Sequence, residues 1–293
     1  MVKRFRALLF YLALLTTTVA QAQERFSFFQ ASTVESVTRM LKVAGLRDHD
    51  VLVDLGSGNG LIPITAAQMN PKLRAWGVDV DEKLVRESNQ AAKAQGVADR
   101  VKFLHQNAFD TDLREATVVT MWLFPELMRL LRATILRTAR PGTRILTSTW
   151  DLGSWSHDEE NTGNPSIYKW IVPARVEGFW SWELPLAGGR ITYSSVKEQR
   201  FQVVEGVVRA GKYRELLQEM KLRGDDISFT LAMTLDGVGH TRHAFRGKVR
   251  GDHINGRATV TLENNQKLEL PWHATRTAAS QYFAPTGTDV KTD

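Results

Sequence analysis

Asp54 leads three glycines at every second position, Asp54-Leu-Gly56-Ser-Gly58-Asn-Gly60, directly after the apolar run Val51-Leu52-Val53. An acid that opens a glycine turn suits a small ligand with a positive end. The carboxylate answers an ammonium group, and residues without side chains let the backbone come close. The spacing is not the G-x-G-x-x-G of a dinucleotide site, where a helix N-terminus meets a pyrophosphate. Nineteen residues after Gly60 a second acid, Asp79, closes the apolar stretch Leu73-Arg-Ala-Trp-Gly-Val78. An acid at that strand tip accepts hydrogen bonds from ribose hydroxyls in nucleoside-binding folds.

These residues need strands to carry them and helices to space them. Val51–Asp54 reads as a buried strand, and Leu61 to Met69 as the helix that the glycine turn opens. Leu73–Asp79 is a second strand; Val80-Asp-Glu-Lys-Leu-Val85 then begins a helix with acids in its first turn, which favours the helix dipole. Arg100–His105 is a third strand and runs into Gln106-Asn-Ala-Phe-Asp110. Ala116–Trp122 is a fourth and breaks at Leu123-Phe-Pro-Glu126. Thr143–Trp150 is a fifth, after the turn Pro141-Gly142. A helix over Val34–Ala44, capped by Ser32 or Thr33, precedes the first strand, and an amphipathic helix with Leu127, Leu130, Leu131, Ile135 and Leu136 precedes the fifth. Strands alternating with helices predict right-handed crossovers, a parallel sheet covered on both faces, and a ligand at the carboxyl ends of the strands.

The first motif and the acid after the second strand resemble those of the Rossmann-like, class I S-adenosylmethionine (AdoMet)-dependent methyltransferases. The Trp122-Leu-Phe-Pro-Glu126 and Trp150-Asp-Leu-Gly-Ser-Trp155 segments resemble one subgroup more closely, the protein-lysine methyltransferases typified by the mitochondrial enzyme acting on the ATP synthase c subunit. Exported bacterial relatives that join this domain to a β-rich tail look closer still. The resemblance covers about residues 28–175. It implies that AdoMet is held by Asp54, Gly56, Ser57, Gly58, Asn59, Gly60, Asp79, Val80, Asn107 and Ala108, with Asn107 beside the adenine. This chain departs from the pattern at Asn59-Gly60-Leu61, where the family has Asp-Gly-Arg; at Asn107, where an acid is common; and at Phe29-Gln-Ala-Ser-Thr33, where it tends to have Val-Pro-Thr. Asparagine still donates and accepts hydrogen bonds there.

Methyl transfer is an in-line displacement in which positioning carries most of the burden, and a lysine acceptor must arrive neutral. Trp122, Phe124, Trp150 and Trp155 would form a desolvating mouth, with Pro125 and Glu126 in the loop facing the sulfonium. The catalytic set implied is Trp122, Pro125 and Glu126, with Glu126 orienting the amine or accepting its proton. The plainer alternatives are that the tryptophans only pack, and that Pro125 and Glu126 are an ordinary first helical turn.

Composition bounds the remaining readings. The 293 residues are 43% hydrophobic and 24% charged, typical of a folded chain. Lys3, Arg4 and Arg6 supply three of the +6 formal charge, so 6 − 3 leaves +3 without them. No charge block or aromatic-basic stripe marks a nucleic-acid groove, so no nucleic-acid partner is expected. With no cysteine there is no disulfide and no thiolate ligand. The seven histidines are dispersed, with His240 and His243 on opposite sides of a strand, so no metal site is expected. Lys3-Arg-Phe-Arg6, the apolar run Ala7–Leu15 and Ala20-Gln-Ala22 read as a signal peptide over 1–22, too short to span a bilayer. Export to the periplasm follows, with no stable membrane span after cleavage; an uncleaved anchor is the alternative.

The methyltransferase domain is read as 23–175. Over 176–276 helical periodicity gives way to short β runs such as Gly178–Leu184, Arg190–Val196, Asp226–Met233, Ala244–Val249, His253–Val260 and Lys267–Trp272. Turns at Ala187-Gly-Gly189, Arg223-Gly-Asp225 and Arg250-Gly-Asp252 separate them, which predicts an antiparallel meander, sandwich or small barrel. The first run, near Ile171 to Trp182, is a candidate to complete the parallel sheet. Residues 277–293 read as a flexible polar tail. The preferred function is N-methylation of a protein lysine, with AdoMet as cofactor. The alternatives are methylation of a small molecule or lipid, or an exported binding protein on a methyltransferase fold. Nothing in the sequence sets the oligomeric state.

Overall fold

The computed structural model describes residues 32–186 and 188–277, which pack as one compact unit. The leader read at 1–22 and the tail from 278 onward lie outside the described residues. Among the described residues no helix is long and apolar enough to cross a membrane.

The first sheet has the strand order β3 (Val101–His105), β2 (Arg74–Asp79), β1 (Val51–Leu55), β4 (Val118–Met121), β5 (Arg144–Ser148), β7 (Ile167–Ile171), β6 (Glu159–Asn161). The first five run parallel and the last two antiparallel. Every residue of β1 and β4 is buried, which is why these central strands read as continuous apolar runs. Among the described residues four helices cover the faces: α1 (Val34–Ala44), α2 (Leu61–Met69), α3 (Glu82–Ala94) and α4 (Pro125–Thr138). Thr33 caps α1, its hydroxyl accepting from the Ser36 amide. Asp81 caps α3 by accepting from the amides of Lys83 and Leu84, so this helix starts after Val80 rather than on it.

The amino ends of the strands are closed by a buried ion pair. Arg144 Nη2 lies 2.5 Å from Asp50 Oδ1, its Nη1 donates to the carbonyls of Ala44 and Gly45, and Thr117 donates to the same carboxylate at 2.6 Å. Each partner is satisfied, so the pair fixes α1, β1 and β5 at one end and leaves the carboxyl ends to do chemistry.

The second sheet is entirely antiparallel. It comprises β8 (Gly178–Leu186), β9 (Gly189–Arg200), β10 (Val203–Ala210), β11 (Tyr213–Leu216), β12 (Gln218–Arg223), β13 (Asp226–Leu235), β14 (Gly239–Arg250), β15 (His253–Thr261) and β16 (Lys267–Thr277), in the order β11-β10-β9-β8-β16-β15-β14-β13-β12. Its edges curl together. Tyr213, the first residue of β11, donates to Asp236 in the β13–β14 turn, and Lys212 pairs with the same carboxylate, giving a near-barrel. Side chains alternate inward, so Trp180, Trp182, Tyr193, Phe229, Phe245 and Trp272 fill the interior. The Trp182 and Tyr193 rings stack with centroids 5.4 Å apart. Ser195 and Lys197 point inward on the same strand as Tyr193.

The two Arg-Gly-Asp triplets are hairpin turns, β12 to β13 and β14 to β15. The run Ile171–Trp182 does not complete the parallel sheet. That place is taken by the short hairpin β6–β7, and Trp180 and Trp182 instead alternate into the barrel interior. The two sheets meet through Trp155 and Phe201, stacked at 5.3 Å, and through the Ala174 amide, which donates to the Gly224 carbonyl at 2.7 Å.

Candidate functional site

The glycine loop is drawn tight by its neighbours. The amides of Gly56 and Ser57 both donate to the Val78 carbonyl at 2.9 Å, which ties the loop to the end of β2. Gly60 takes φ +78°, and a Cβ there would stand 2.6 Å from Phe103 Cζ; at Gly56, also left-handed, it would collide with Leu123. The loop therefore needs glycine for its backbone and for the space it leaves.

Asp54 ends β1 fully buried, and Thr120, its partner in the ladder on β4, donates to Oδ1 at 2.7 Å. Among the described residues no hydrogen bond reaches its other oxygen. Burial pushes its carboxyl up to about 7 against the Thr120 hydrogen bond, with the nearby charge of Asp79 adding to the rise. Asp79 is half-buried and braces two segments, accepting from the Gly58 amide at 2.8 Å on Oδ2 and from the Asp81 amide at 2.9 Å on Oδ1. Each of its oxygens keeps a lone pair. Ser57 Oγ is buried with no partner among the described residues, and so is Ser148 Oγ at the carboxyl end of β5.

Val80 is exposed at the strand tip, next to the loop that leads to α3. Asn107 is exposed and caps a short 3₁₀ turn over Ala108–Asp110, its Oδ1 accepting from the Phe109 amide; its amide nitrogen is left free to donate. Asn59 plays a similar local part, accepting from the Leu61 amide. Asp54, Gly56, Ser57, Gly58, Asn59, Gly60, Asp79, Val80, Asn107 and Ala108 thus all lie at the carboxyl ends of β1, β2 and β3.

Trp122 is half-buried after β4 and leans on the cluster formed by α1 and α2. Phe124 and Trp150 are 46% and 49% exposed, as a mouth would require. Trp155 is not part of that mouth. It is 1% exposed and packed between Phe201 and Trp170, because the contact between the two sheets claims its ring. Pro125 is the first residue of α4, and Glu126 is exposed in its first turn, where its charge meets the positive end of the helix. Asp151 accepts from the Gly153 amide and makes a turn. His243 is buried in the barrel and His240 is exposed, as alternation requires.

Three groups carry no role in the sequence reading. Thr120 holds one oxygen of Asp54, Leu123 covers Gly56, and Ser148 brings a second buried hydroxyl. Their signal is positional, each falling at a strand's carboxyl end.

The site fits a cofactor with an ammonium and a nucleoside end. One carboxylate is held buried, awaiting a cation; a second lies at the next strand tip; an orphaned hydroxyl sits in the glycine loop. The profile of the ANTKMT methyltransferase domain family matches residues 54–159, the stretch that contains these groups. A protein-lysine N-methyltransferase of Saccharolobus islandicus is 31% identical over 141 residues, covering 46% of this chain and 88% of that protein. A ribosomal protein L11 methyltransferase of Desulforamulus reducens is 29% identical over 103 residues, about a third of either chain. A crystal structure of an RNA methyltransferase from Salinibacter ruber with S-adenosyl-L-homocysteine is 36% identical, at a TM-score of 0.49, covering 50% of this chain and 96% of that one. The fold and site define a class I methyltransferase. The chain belongs to the AdoMet-dependent methyltransferases, and AdoMet is its cofactor.

Proposed function

We propose that this chain transfers the methyl group of AdoMet to the side-chain nitrogen of a protein lysine, and that it works in the periplasm. The observation that carries the acceptor is the likeness to the Saccharolobus islandicus enzyme, which spans nearly all of that protein. The leader-like sequence at 1–22 supports export.

Bound AdoMet supplies an electrophilic methyl on a sulfonium; the chain's residues do the rest by position. Asp54, with one oxygen held by Thr120, takes the ammonium of the cofactor's amino-acid end on the other. Ser57 Oγ, which has no partner among the described residues, would hold the adjoining carboxylate, Asp79 the ribose hydroxyls, and the side-chain amide of Asn107, with Val80 and Ala108 beside it, the adenine. The half-buried Trp122 and the exposed rings of Phe124 and Trp150 strip water from an incoming amine, which favours its neutral, nucleophilic form. Pro125 fixes the loop's exit into α4. Glu126, exposed in the first turn of α4, orients the amine.

The test is incubation of the enzyme with envelope proteins and AdoMet labelled on the methyl group. Acid hydrolysis should return the label as N-methyllysine. Label recovered in extracted lipid or small molecules would contradict the lysine reading. N-terminal sequencing of the secreted chain should begin near Gln23, and an intact leader would contradict export with cleavage.

A further inference from the structure

On its outer side the barrel sets two arginines against each other. Arg246 of β14 stands directly opposite Arg257 of β15, a like-charge pairing that costs stability in a ladder. The row continues to Ser228 on one side and Pro271 on the other, so no acid lies in register with either. Neither guanidinium has an ion pair or side-chain hydrogen bond among the described residues, and both are exposed. Arg242 lies on the same face and is equally unpaired, and Lys267 stands in its row. The acids of this face are already engaged: Asp226 with Lys248, Glu219 with Thr230, and Glu269 with Thr259.

The face is also hollow. Gly247 and Gly256 are cross-strand partners, and a Cβ on Gly247 would stand 2.8 Å from the Asn255 carbonyl. A Cβ there would also meet Trp272 at 3.1 Å, so glycine leaves this ring its room on the inner side. The outer side becomes a trough of about 1020 Å³ floored by small residues such as Ala232, Ala244 and Thr261 and bordered by the arginines.

We propose that this trough docks an acidic segment of polypeptide. Arginine forks match carboxylates two oxygens at a time, and threonine and asparagine side chains between them suit a peptide backbone. A nucleic acid would meet no exposed aromatic ring in the trough on which to stack a base. A membrane would meet a concave surface with no apolar anchor, because the exposed large apolar side chains, Val203 and Leu216 among them, lie elsewhere. The inference does not depend on what the enzyme methylates.

The test uses the whole protein and a fluorescent peptide of alternating Glu and Ser, about 16 residues long and so roughly 50 Å when extended. Binding should weaken about tenfold as salt is raised through the physiological range. Joint replacement of Arg246→Gln and Arg257→Gln should weaken it at least about tenfold, with a melting temperature no lower than that of the native protein. Lys42→Gln with Lys93→Gln removes the same charge from exposed helical positions and should leave the affinity unchanged. The proposal is overturned if the arginine pair has no effect, if the lysine pair has an equal one, or if a Gln–Ser peptide binds as well. Stronger binding to phosphatidylglycerol vesicles or to a thymidine oligomer at equal charge would overturn the polypeptide assignment.

Discussion

Asp54 in the parallel sheet and Lys197 in the barrel are both fully buried, and both titrate at about 7, reached from opposite directions. Burial pushes the carboxyl up. Burial also drives the ammonium down, with the nearby charge of Arg276 adding to the fall. Asp54 sits where strand ends open toward a ligand and has one oxygen unbonded. Lys197 is sealed within 5.6 Å of the Trp180 ring and 5.8 Å of the Trp182 ring, donating to Ser195 Oγ at 2.5 Å. The same displacement of charge therefore means two things. A perturbed group at a mouth is poised to bind; one inside a closed wall is a cost carried by the fold.

The sharpest break between the regions should come from Gly60→Val. It forces a β-branched residue to a left-handed backbone against Phe103, so AdoMet binding by equilibrium dialysis should fall more than about 100-fold. The near-ultraviolet circular dichroism of the barrel tryptophans should persist.

Lys197→Met tests the other side. The folded amine titrates below its ordinary value, so between about 7 and 10.5 the unfolded chain holds more protons and stability must rise with pH. Urea unfolding should show that rise in the native protein and none in the methionine variant. The variant should be more stable at pH 7 by roughly 3 kcal/mol, less near pH 10.

Asp54 has the opposite sign. Its folded carboxyl titrates above 3.8, so the stability it contributes is complete below that pH and is lost as pH rises through about 7. Without cofactor, the native protein should lose about 2 kcal/mol between pH 4 and 7.5, a loss absent in Asp54→Asn. The smaller size reflects the Thr120 hydrogen bond, which favours the ionised carboxylate against burial. Glu126→Gln should have the least effect, lowering kcat about two- to threefold, since glutamine still orients by hydrogen bond. A loss of a hundredfold would make Glu126 a base.

The sequence carried the parallel half further than the barrel, for physical reasons. Asp54 and its glycines could be read because their backbone and steric demands are local. The Thr120 hydrogen bond to Asp54 could not, since it joins residues 66 apart that only the strand order makes neighbours. Trp155 was misread as a wall of the mouth because an indole after a strand looks the same whether it faces a ligand or another sheet. The hairpin β6–β7 hid in a turn-rich stretch with only three residues in its first strand. In the barrel, alternation at Tyr193, Ser195 and Lys197 points the lysine inward, yet its chemistry argues for solvent; the aromatic interior decided it. The opposed arginines are invisible without the register of β14 on β15.

The central claim is that the glycine loop and Asp54 hold AdoMet, and calorimetric titration tests it directly. Near pH 7, in buffers of differing ionisation heat, the native protein should bind at micromolar concentration and release part of a proton as Asp54 ionises against the ammonium. Asp54→Asn should fold alike, bind at least about 30-fold more weakly and release none. Equal binding by the variant, or no binding by the native protein at millimolar AdoMet, would contradict the account.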